Sequence, residues 1–118
     1  MMDKFYITTA IDYVNGAPHI WHAYEKIITD ALSRHFKLRG KDVFFLTGTD
    51  EHGIKIQQSA EKNKMSPQEF TKINAGKFKA AWEDLNVKYD SFIRTTEERH
   101  YHVVKHIFKT LVEKGDIY

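Results

Sequence analysis

The stretch DVFFLTGTDEHG, residues 42–53, changes character halfway along its length. Residues 42–47 are almost continuously apolar, which predicts a short parallel strand covered on both faces. The polar residues 48–53 predict a turn at the carboxyl end of that strand. This stretch therefore predicts a buried strand that presents polar side chains at one edge of a sheet.

The residues before it complete a strand–helix–strand unit. Residues 4–10 (KFYITTA) are aromatic and β-branched and predict a strand, whereas residues 12–18 (DYVNGAP) contain Asn-Gly and proline and predict a loop. From Ile20, apolar residues recur at helical spacing as far as a stop at Gly40. In parallel α/β sheets, ligands bind beyond the carboxyl ends of the strands. The loops that follow the two strands, 11–22 and 47–53, are therefore expected to lie together at that edge.

The rest of the chain is predicted to be mainly helical. Residues 54–62 suit one helix, and a second begins at Ser66-Pro67-Gln68-Glu69, where serine caps the helix, and ends near Leu85. Residues 89–94 (YDSFIR) predict a short third strand, after which a last helix begins near Thr96. The apolar face of that last helix comprises Val103, Val104, Ile107, Phe108 and Leu111. The predicted fold class is α/β, in one domain spanning residues 1–118.

Composition narrows the function classes. The chain has 118 residues, and 18 basic against 16 acidic residues give a net charge of +2, too balanced to predict nucleic-acid binding from charge alone. It contains no cysteine, which excludes disulfides and thiolate metal sites, and it has no apolar segment of signal or membrane length. We expect a soluble cytoplasmic protein with neither membrane nor DNA as a partner.

Two histidines flank the start of the long helix. His19 and His22 are expected where free backbone N–H groups and the helix dipole favour anions, so their rings could donate hydrogen bonds to a triphosphate. From spacing alone, a helix cap or a surface pair is the commoner explanation. Trp21 lies between them, in a position where such sites usually keep the backbone bare with glycine.

The polar turn GTDEHG offers acceptors at the same edge. Asp50 or Glu51 could hold an ammonium group, and His52 could meet a ribose or a phosphate. A polar loop at a strand end is more often a solvated turn. By itself this signal is weak.

Taken together, these segments resemble a known family. The pattern TTAI-YVNG-PHI-H, the loop TGTDEHG and the pattern YD-FIRTT-ERH are similar to the start of the catalytic domain of the methionyl-tRNA synthetases, which are class I aminoacyl-tRNA synthetases. KMSPQEF and IFKTLVEKGDIY extend the similarity over essentially the whole chain. The resemblance implies a partial Rossmann-like nucleotide-binding fold with two or three parallel strands and about four helices.

The resemblance also implies an activity. The family activates methionine with ATP, assisted by Mg²⁺, and transfers it to tRNA(Met). His19 and His22 match the two histidines of the signature that binds the ATP phosphates and stabilises the transition state, and Trp21 occupies the position of the signature glycine between them. No zinc site is expected in this segment.

A second set of positions matches the family's methionine site. Asp50 matches the carboxylate that binds the α-ammonium group of methionine. Three further residues match positions that line the methionine pocket: Ala10, Ile11 and Tyr13.

Three departures from the family pattern affect these expectations. Trp21 is expected to occupy the place of the adenine ring, the alternative being that it turns aside into a neighbouring apolar groove. Asp12 stands where the family usually has tyrosine or proline, and it would repel the substrate carboxylate unless it faces solvent. The connective insertion, the second signature loop and the anticodon-binding domain are expected to be missing, and Lys64-Met65-Ser66 is not that second loop.

Three hypotheses follow. The first is a synthetase fragment whose catalysis is impaired or absent in this chain alone. The second is a non-catalytic module that binds tRNA or protein, and an uncovered apolar face would in addition favour self-association. The third is a small nucleotidyltransferase, which predicts a glycine between the two histidines. Three other histidines, His100, His102 and His106, are expected to be solvated rather than to bind a metal.

Overall fold

The computed structural model describes residues 3–118 and has the predicted α/β architecture. Four helices and four strands occupy the described residues. In chain order they are β1 (Lys4–Thr8), β2 (Asp12–Tyr13), α1 (Ile20–Leu38), β3 (Asp42–Asp50), α2 (Ile54–Lys62), α3 (Pro67–Asp84), β4 (Ser91–Arg94) and α4 (Glu98–Glu113). The predicted start of α3 is confirmed, since Glu69 N–H donates to Ser66 Oγ while Ser66 N–H donates to the Glu69 carboxylate.

The sheet is built around β3, with which β1, β2 and β4 all pair in parallel. Leu46 pairs with both β1 and β4, and Thr49 pairs with both β2 and β4. Because a strand has only two edges, β1 and β2 follow one another along one edge of β3, and β4 takes the other. The predicted strand–helix–strand unit, β1–α1–β3, is confirmed.

The strand ends differ from the prediction in two places. Residues 48–50 were expected in a turn, but β3 continues to Asp50 because β2 and β4 supply backbone partners on both sides. Residues 12–13 were expected in a loop, but they form β2. Gly48 permits this packing, since a Cβ there would lie 2.1 Å from the Ile93 carbonyl oxygen.

One face of the sheet carries the hydrophobic core, together with α2 and α3. Its buried members are Val14, Phe45, Ile56, Ala60, Phe70, Phe78, Trp82, Val87 and Phe92. On the opposite face, Phe44 is exposed and stacks on exposed Tyr6, with 6.0 Å between ring centroids. The expectation that residues 42–47 are covered on both faces is therefore wrong for the first half of β3.

Helix α1 packs through polar residues. Its buried side chains are Lys26, Thr29, Asp30 and Ser33. The apolar residues that predicted the helix are largely exposed, among them Ile20, Tyr24, Ile27, Leu32 and Leu38. Helix α4 likewise buries none of its residues, although it has the predicted apolar face. The helical spans were predicted correctly, but within residues 3–118 the apolar stripes of α1 and α4 are not covered.

Glu51 joins the carboxyl ends of β3 and β4. Its side chain is fully buried and accepts two hydrogen bonds from Arg94, at 2.7 and 2.9 Å, and one each from the hydroxyls of Thr49 and Thr96, at 2.7 and 2.5 Å. Its backbone N–H donates to the hydroxyl of Thr95. Burial alone would raise the pKa of Glu51, but these hydrogen bonds outweigh it and the pKa is lowered.

The Glu51–Arg94 pair predicts a pH-dependent loss of stability in Glu51→Gln. Removing one partner of a buried ion pair should cost about 3 kcal/mol of unfolding free energy at pH 7. Because the folded pKa of Glu51 lies below its unfolded value, this contribution is present above that unfolded value and disappears as the pH falls through the folded pKa. Urea unfolding at pH 7 and at about pH 3 checks this prediction.

The matched control is Glu113→Gln, which removes an exposed pair with Lys109. It should change the unfolding free energy by less than about 0.5 kcal/mol at either pH. A Glu51→Gln variant that behaves like this control would contradict a stabilising role for the network.

Candidate functional site

The two predicted loops do meet at the carboxyl edge of the sheet. Tyr13 pairs with Asp50, Asp12 pairs with Thr49, and Val14 N–H donates to the Asp50 carbonyl at 3.3 Å. The β1–β2 segment on one side and the end of β3 on the other therefore form one surface. Helix α1 begins beside it, seven residues after Tyr13.

His19 and His22 contact each other at the start of α1. Their ring centroids lie 3.8 Å apart, and the backbone N–H of His19 donates to Nδ1 of His22 at 3.2 Å. Since Nδ1 accepts this bond, a neutral His22 carries its proton on Nε2. Burial lowers the pKa of His22, and the charges of His19 and Lys26 lower it further. His22 is therefore suited to act as a neutral hydrogen-bond donor near pH 7.

Trp21 lies on the outer surface of α1. Its side chain is 73% exposed and meets the exposed ring of Tyr24 edge-on, with 6.3 Å between centroids. The indole is thus not buried in a neighbouring apolar groove, which was the alternative to occlusion. Its occupation of the adenine position remains a prediction.

Ala10 and Ile11 lie in an irregularity of the sheet edge. Thr8 pairs with Leu46 and Asp12 with Thr49, so three residues on this segment oppose two on β3. This arrangement is equivalent to a bulge, and it exposes both Ala10 and Ile11. We refer to residues 9–11 as the edge bulge.

Tyr13 completes the predicted methionine-pocket set from the end of β2. It is half-buried, and its hydroxyl would lie 2.7 Å from a Cβ placed at Gly53. Gly53 also has φ +122°, which disfavours any other residue. The phenol therefore packs directly under the turn that follows β3.

Asp12 is buried at the start of β2. It does not face solvent; it is 4% exposed and forms a 2.6 Å ion pair with Lys26, whose side chain is fully buried. Burial raises the pKa of Asp12 more than Lys26 lowers it. The sequence analysis missed Lys26, although its spacing from His19 and His22, by seven and four residues, places all three on one face of the helix.

Asp50 and Glu51 have different environments. The Glu51 carboxylate is occupied by Arg94 and by the hydroxyls of Thr49 and Thr96, as described above. Asp50 is half-buried, and its carboxylate accepts only a long bond of 3.4 Å from the His52 N–H among the described residues. Of the two carboxylates considered for an ammonium group, Asp50 is the one with unused acceptor capacity. His52 turns toward Thr95 and Tyr101, with its Nε2 3.2 Å from the Thr95 carbonyl.

Metal-binding clusters and membrane-spanning helices are both absent from the described residues. Over residues 3–118, no group of three or more His, Asp or Glu side chains could hold a metal ion. None of the helices in that range combines the length and the apolar character that crossing a membrane requires.

A cavity of 490 Å³ opens between His52, Lys72 and Tyr101, but the edge bulge and the paired histidines do not line it.

Comparison with known proteins points to one family. The sequence model described as tRNA synthetases class I (M) matches residues 5–118. The chain is 54% identical over 116 residues to a methionine–tRNA ligase of Brucella suis, covering 98% of this chain and 22% of that protein. It is 50% identical over 117 residues to the Helicobacter pylori enzyme, covering 99% of this chain and 18% of the relative.

A solved structure agrees with this assignment. Methionyl-tRNA synthetase of Mycobacterium tuberculosis, determined in complex with methionyl-adenylate, superposes with a TM-score of 0.97 at 44% identity, over 99% of this chain and 23% of that one. The chain therefore spans about a fifth of the length of the relatives it matches. The comparisons support neither the non-catalytic tRNA- or protein-binding module nor the small nucleotidyltransferase. Sequence, fold and strand-edge geometry agree, and the chain belongs to the methionyl family of class I tRNA synthetases.

Proposed function

We propose that this chain forms the part of a methionine–tRNA ligase site that holds methionine and the phosphates of ATP. The observation that carries the proposal is the placement of His19 and His22, at the start of α1, beside the edge where Tyr13 pairs with Asp50. The M. tuberculosis relative was solved with methionyl-adenylate, the product of joining these two substrates.

In the proposed reaction, a carboxylate oxygen of methionine attacks the α-phosphorus of ATP. The new bond joins that oxygen to phosphorus, and the bond between the α-phosphorus and the bridging oxygen breaks as pyrophosphate leaves. His22 contributes the N–H on Nε2, and the backbone N–H groups at the start of α1 favour the negative charge. The terminal ribose of tRNA(Met) then takes the methionyl group and releases AMP.

Asp50 is assigned to the α-ammonium group of methionine. Its carboxylate is half-buried and has unused acceptor capacity, as a partner for a cation requires. Ala10, Ile11 and Tyr13 are assigned to the walls of the methionine pocket. All four residues belong to the two strand ends that meet at this edge.

Mg²⁺ is assigned to the triphosphate rather than to this chain. No cluster among residues 3–118 could hold a metal, and Mg²⁺ usually binds through substrate phosphates. A role in translation implies a cytoplasmic location. We further assign residues 1–118 to the first half of the catalytic domain, and we expect catalysis by this chain alone to be impaired because it covers about a fifth of the length of its relatives.

The first prediction about ligand binding concerns Trp21 and ATP. If the indole occupies the adenine position, the unmodified chain should bind ATP at least about tenfold more weakly than Trp21→Gly, a difference of about 1.4 kcal/mol. Isothermal titration calorimetry of both proteins measures this difference.

Leu32→Gly is the control for Trp21→Gly, because it places a glycine at another exposed apolar position of α1. It should bind ATP no better than the unmodified chain. Equal binding by the unmodified chain and Trp21→Gly would contradict occlusion. No binding by either protein would contradict the assignment of an ATP site to this chain.

The second prediction concerns Asp50 and methionine. Asp50→Asn should weaken methionine binding at least about tenfold, because it removes the charge that pairs with the α-ammonium. The same substitution should not weaken binding of 4-(methylthio)butanoate, which lacks that ammonium group. Calorimetry with both ligands separates the two effects.

The control for Asp50→Asn is Asp84→Asn, at the exposed end of α3. It should leave the affinity for both ligands unchanged. A loss of affinity for both ligands in Asp50→Asn would assign the residue a structural role instead.

Self-association is a separate proposal, supported by the apolar side chains that α1 and α4 expose. Among them are Tyr24, Leu32, Val103 and Phe108. Light scattering during size-exclusion chromatography should give a mass that increases with concentration above 13.9 kDa. Val103→Lys with Phe108→Lys should reduce that mass toward the monomer value, and a constant 13.9 kDa in the unmodified chain would contradict the proposal.

A further inference from the structure

Lys26 is a charged residue in the interior of the fold. It is 0% exposed, and its ammonium contacts three acceptors: the Ala10 carbonyl at 3.1 Å, Asp12 Oδ1 at 2.6 Å and Glu25 Oε2 at 3.0 Å. An ammonium group has three N–H donors, so these acceptors use all of them. Its Nζ also lies 5.7 Å from the centroid of the buried Trp82 ring.

One acceptor of Lys26, the Ala10 carbonyl, belongs to the edge bulge. The extra residue of the bulge removes Ala10 from the pairing with β3, so its backbone groups need other partners. The Ala10 N–H donates to Glu25 Oε1 at 2.9 Å, while its carbonyl accepts from Lys26 and from the Thr9 hydroxyl at 2.8 Å. Two consecutive residues of α1 thus bind both backbone groups of Ala10.

Asp12 and Lys26 compensate each other's buried charge. Asp12 lies in β2, directly after the edge bulge, and is almost fully buried. Only its Oδ1 has a hydrogen-bond partner, and its buried Oδ2 has none among the described residues. Without Lys26, a buried carboxylate would be uncompensated; without Asp12, the buried ammonium would lose its closest counter-ion.

We propose that Lys26, neutralised by Asp12, is a positioning residue that holds the edge bulge at a defined place against helix α1. The functional meaning of this inference rests on the proposed function, because the bulge carries Ala10 and Ile11 of the assigned methionine pocket. Lys26 lies one turn beyond His22 on the same helix. The contact therefore links the methionine side of the site directly to the phosphate side.

The same contact makes Asp12 compatible with a carboxylate substrate. A free carboxylate at this edge would repel the carboxylate of an amino acid, as the sequence analysis expected. Here the Lys26 ammonium, 2.6 Å away, compensates the charge of Asp12. Substitutions at Asp12 and at Lys26 are therefore expected to be interdependent in their effects on stability.

The experiment compares Lys26→Met with the double variant Asp12→Val/Lys26→Met. The single variant leaves Asp12 buried without a partner and should lower the melting temperature by about 10 °C or more. The double variant removes both charges and should melt within about 4 °C of the unmodified chain, because apolar residues of similar volume often replace a buried ion pair without loss.

Backbone order parameters from ¹⁵N relaxation then separate positioning from stability. In the double variant, the order parameters of Ala10 and Ile11 should fall from about 0.85 to below about 0.6, while those of Thr47 and Thr49 in β3 stay near about 0.85. Lys37→Met, which removes the half-exposed pair with Asp90, is the matched control and should change none of them. Unchanged order at Ala10 and Ile11 in the double variant would overturn the proposal.

A measurement on the unmodified chain keeps the test independent of how the variants fold. The ammonium protons of Lys26 should exchange slowly enough to be observed, with nuclear Overhauser contacts to Ala10 and Asp12. Exchange as fast as that of surface lysines would overturn the proposal. Neither readout uses methionine or ATP, so failure of ligand binding and failure of the Lys26 contact are separately visible.

Discussion

Parallel pairing along both edges of β3 is the constraint on which the rest of the structure depends. The strand takes β1 and then β2 on one edge and β4 on the other, so all four carboxyl ends point the same way. Close approach of β4 requires Gly48, because Ile93 occupies the space that a side chain there would need. At the carboxyl end of this pairing, the ion pair between Glu51 and Arg94 holds β3 and β4 together.

Helix α1, which begins beside this edge, packs against the fold through buried polar and charged side chains rather than through its apolar residues. Helix α1 buries Lys26 and Asp30, and each is compensated: Lys26 by Asp12 and Glu25, Asp30 by Arg34 and the backbone N–H of Lys88. Buried charges are tolerated only with such partners, so their geometry is closely specified. The apolar stripe of the same helix is exposed in a chain that spans about a fifth of the length of its relatives.

The site combines two kinds of recognition on separate elements. The start of α1 offers His19, His22 and free backbone N–H groups to negative charge, whereas the end of β3 offers Asp50 to positive charge. In the proposed function, the phosphates of ATP lie at the first of these elements and the α-ammonium group of methionine at the second. The edge bulge lies between these elements and is bonded to α1 through Glu25 and Lys26. Trp21, which occupies the position of the family's signature glycine, lies on the exposed side of the same helix.

Local sequence was sufficient for the elements whose causes are local. Ser66 and Glu69 cap α3 within four residues, and the apolar run of residues 42–47 lies in strand β3, as its pattern predicts. The paired histidines and Asp50 were indicated by their positions at a helix start and at a strand end, and the resemblance to the family then assigned them roles. Tertiary structure alone decided that residues 48–50 extend β3, that α1 buries its polar face, that Glu51 binds Arg94 and that Asp12 binds Lys26. The Asp12–Lys26 contact joins residues 14 positions apart and the Glu51–Arg94 contact residues 43 apart. Whether a charge is buried depends on partners that spacing along the chain does not reveal.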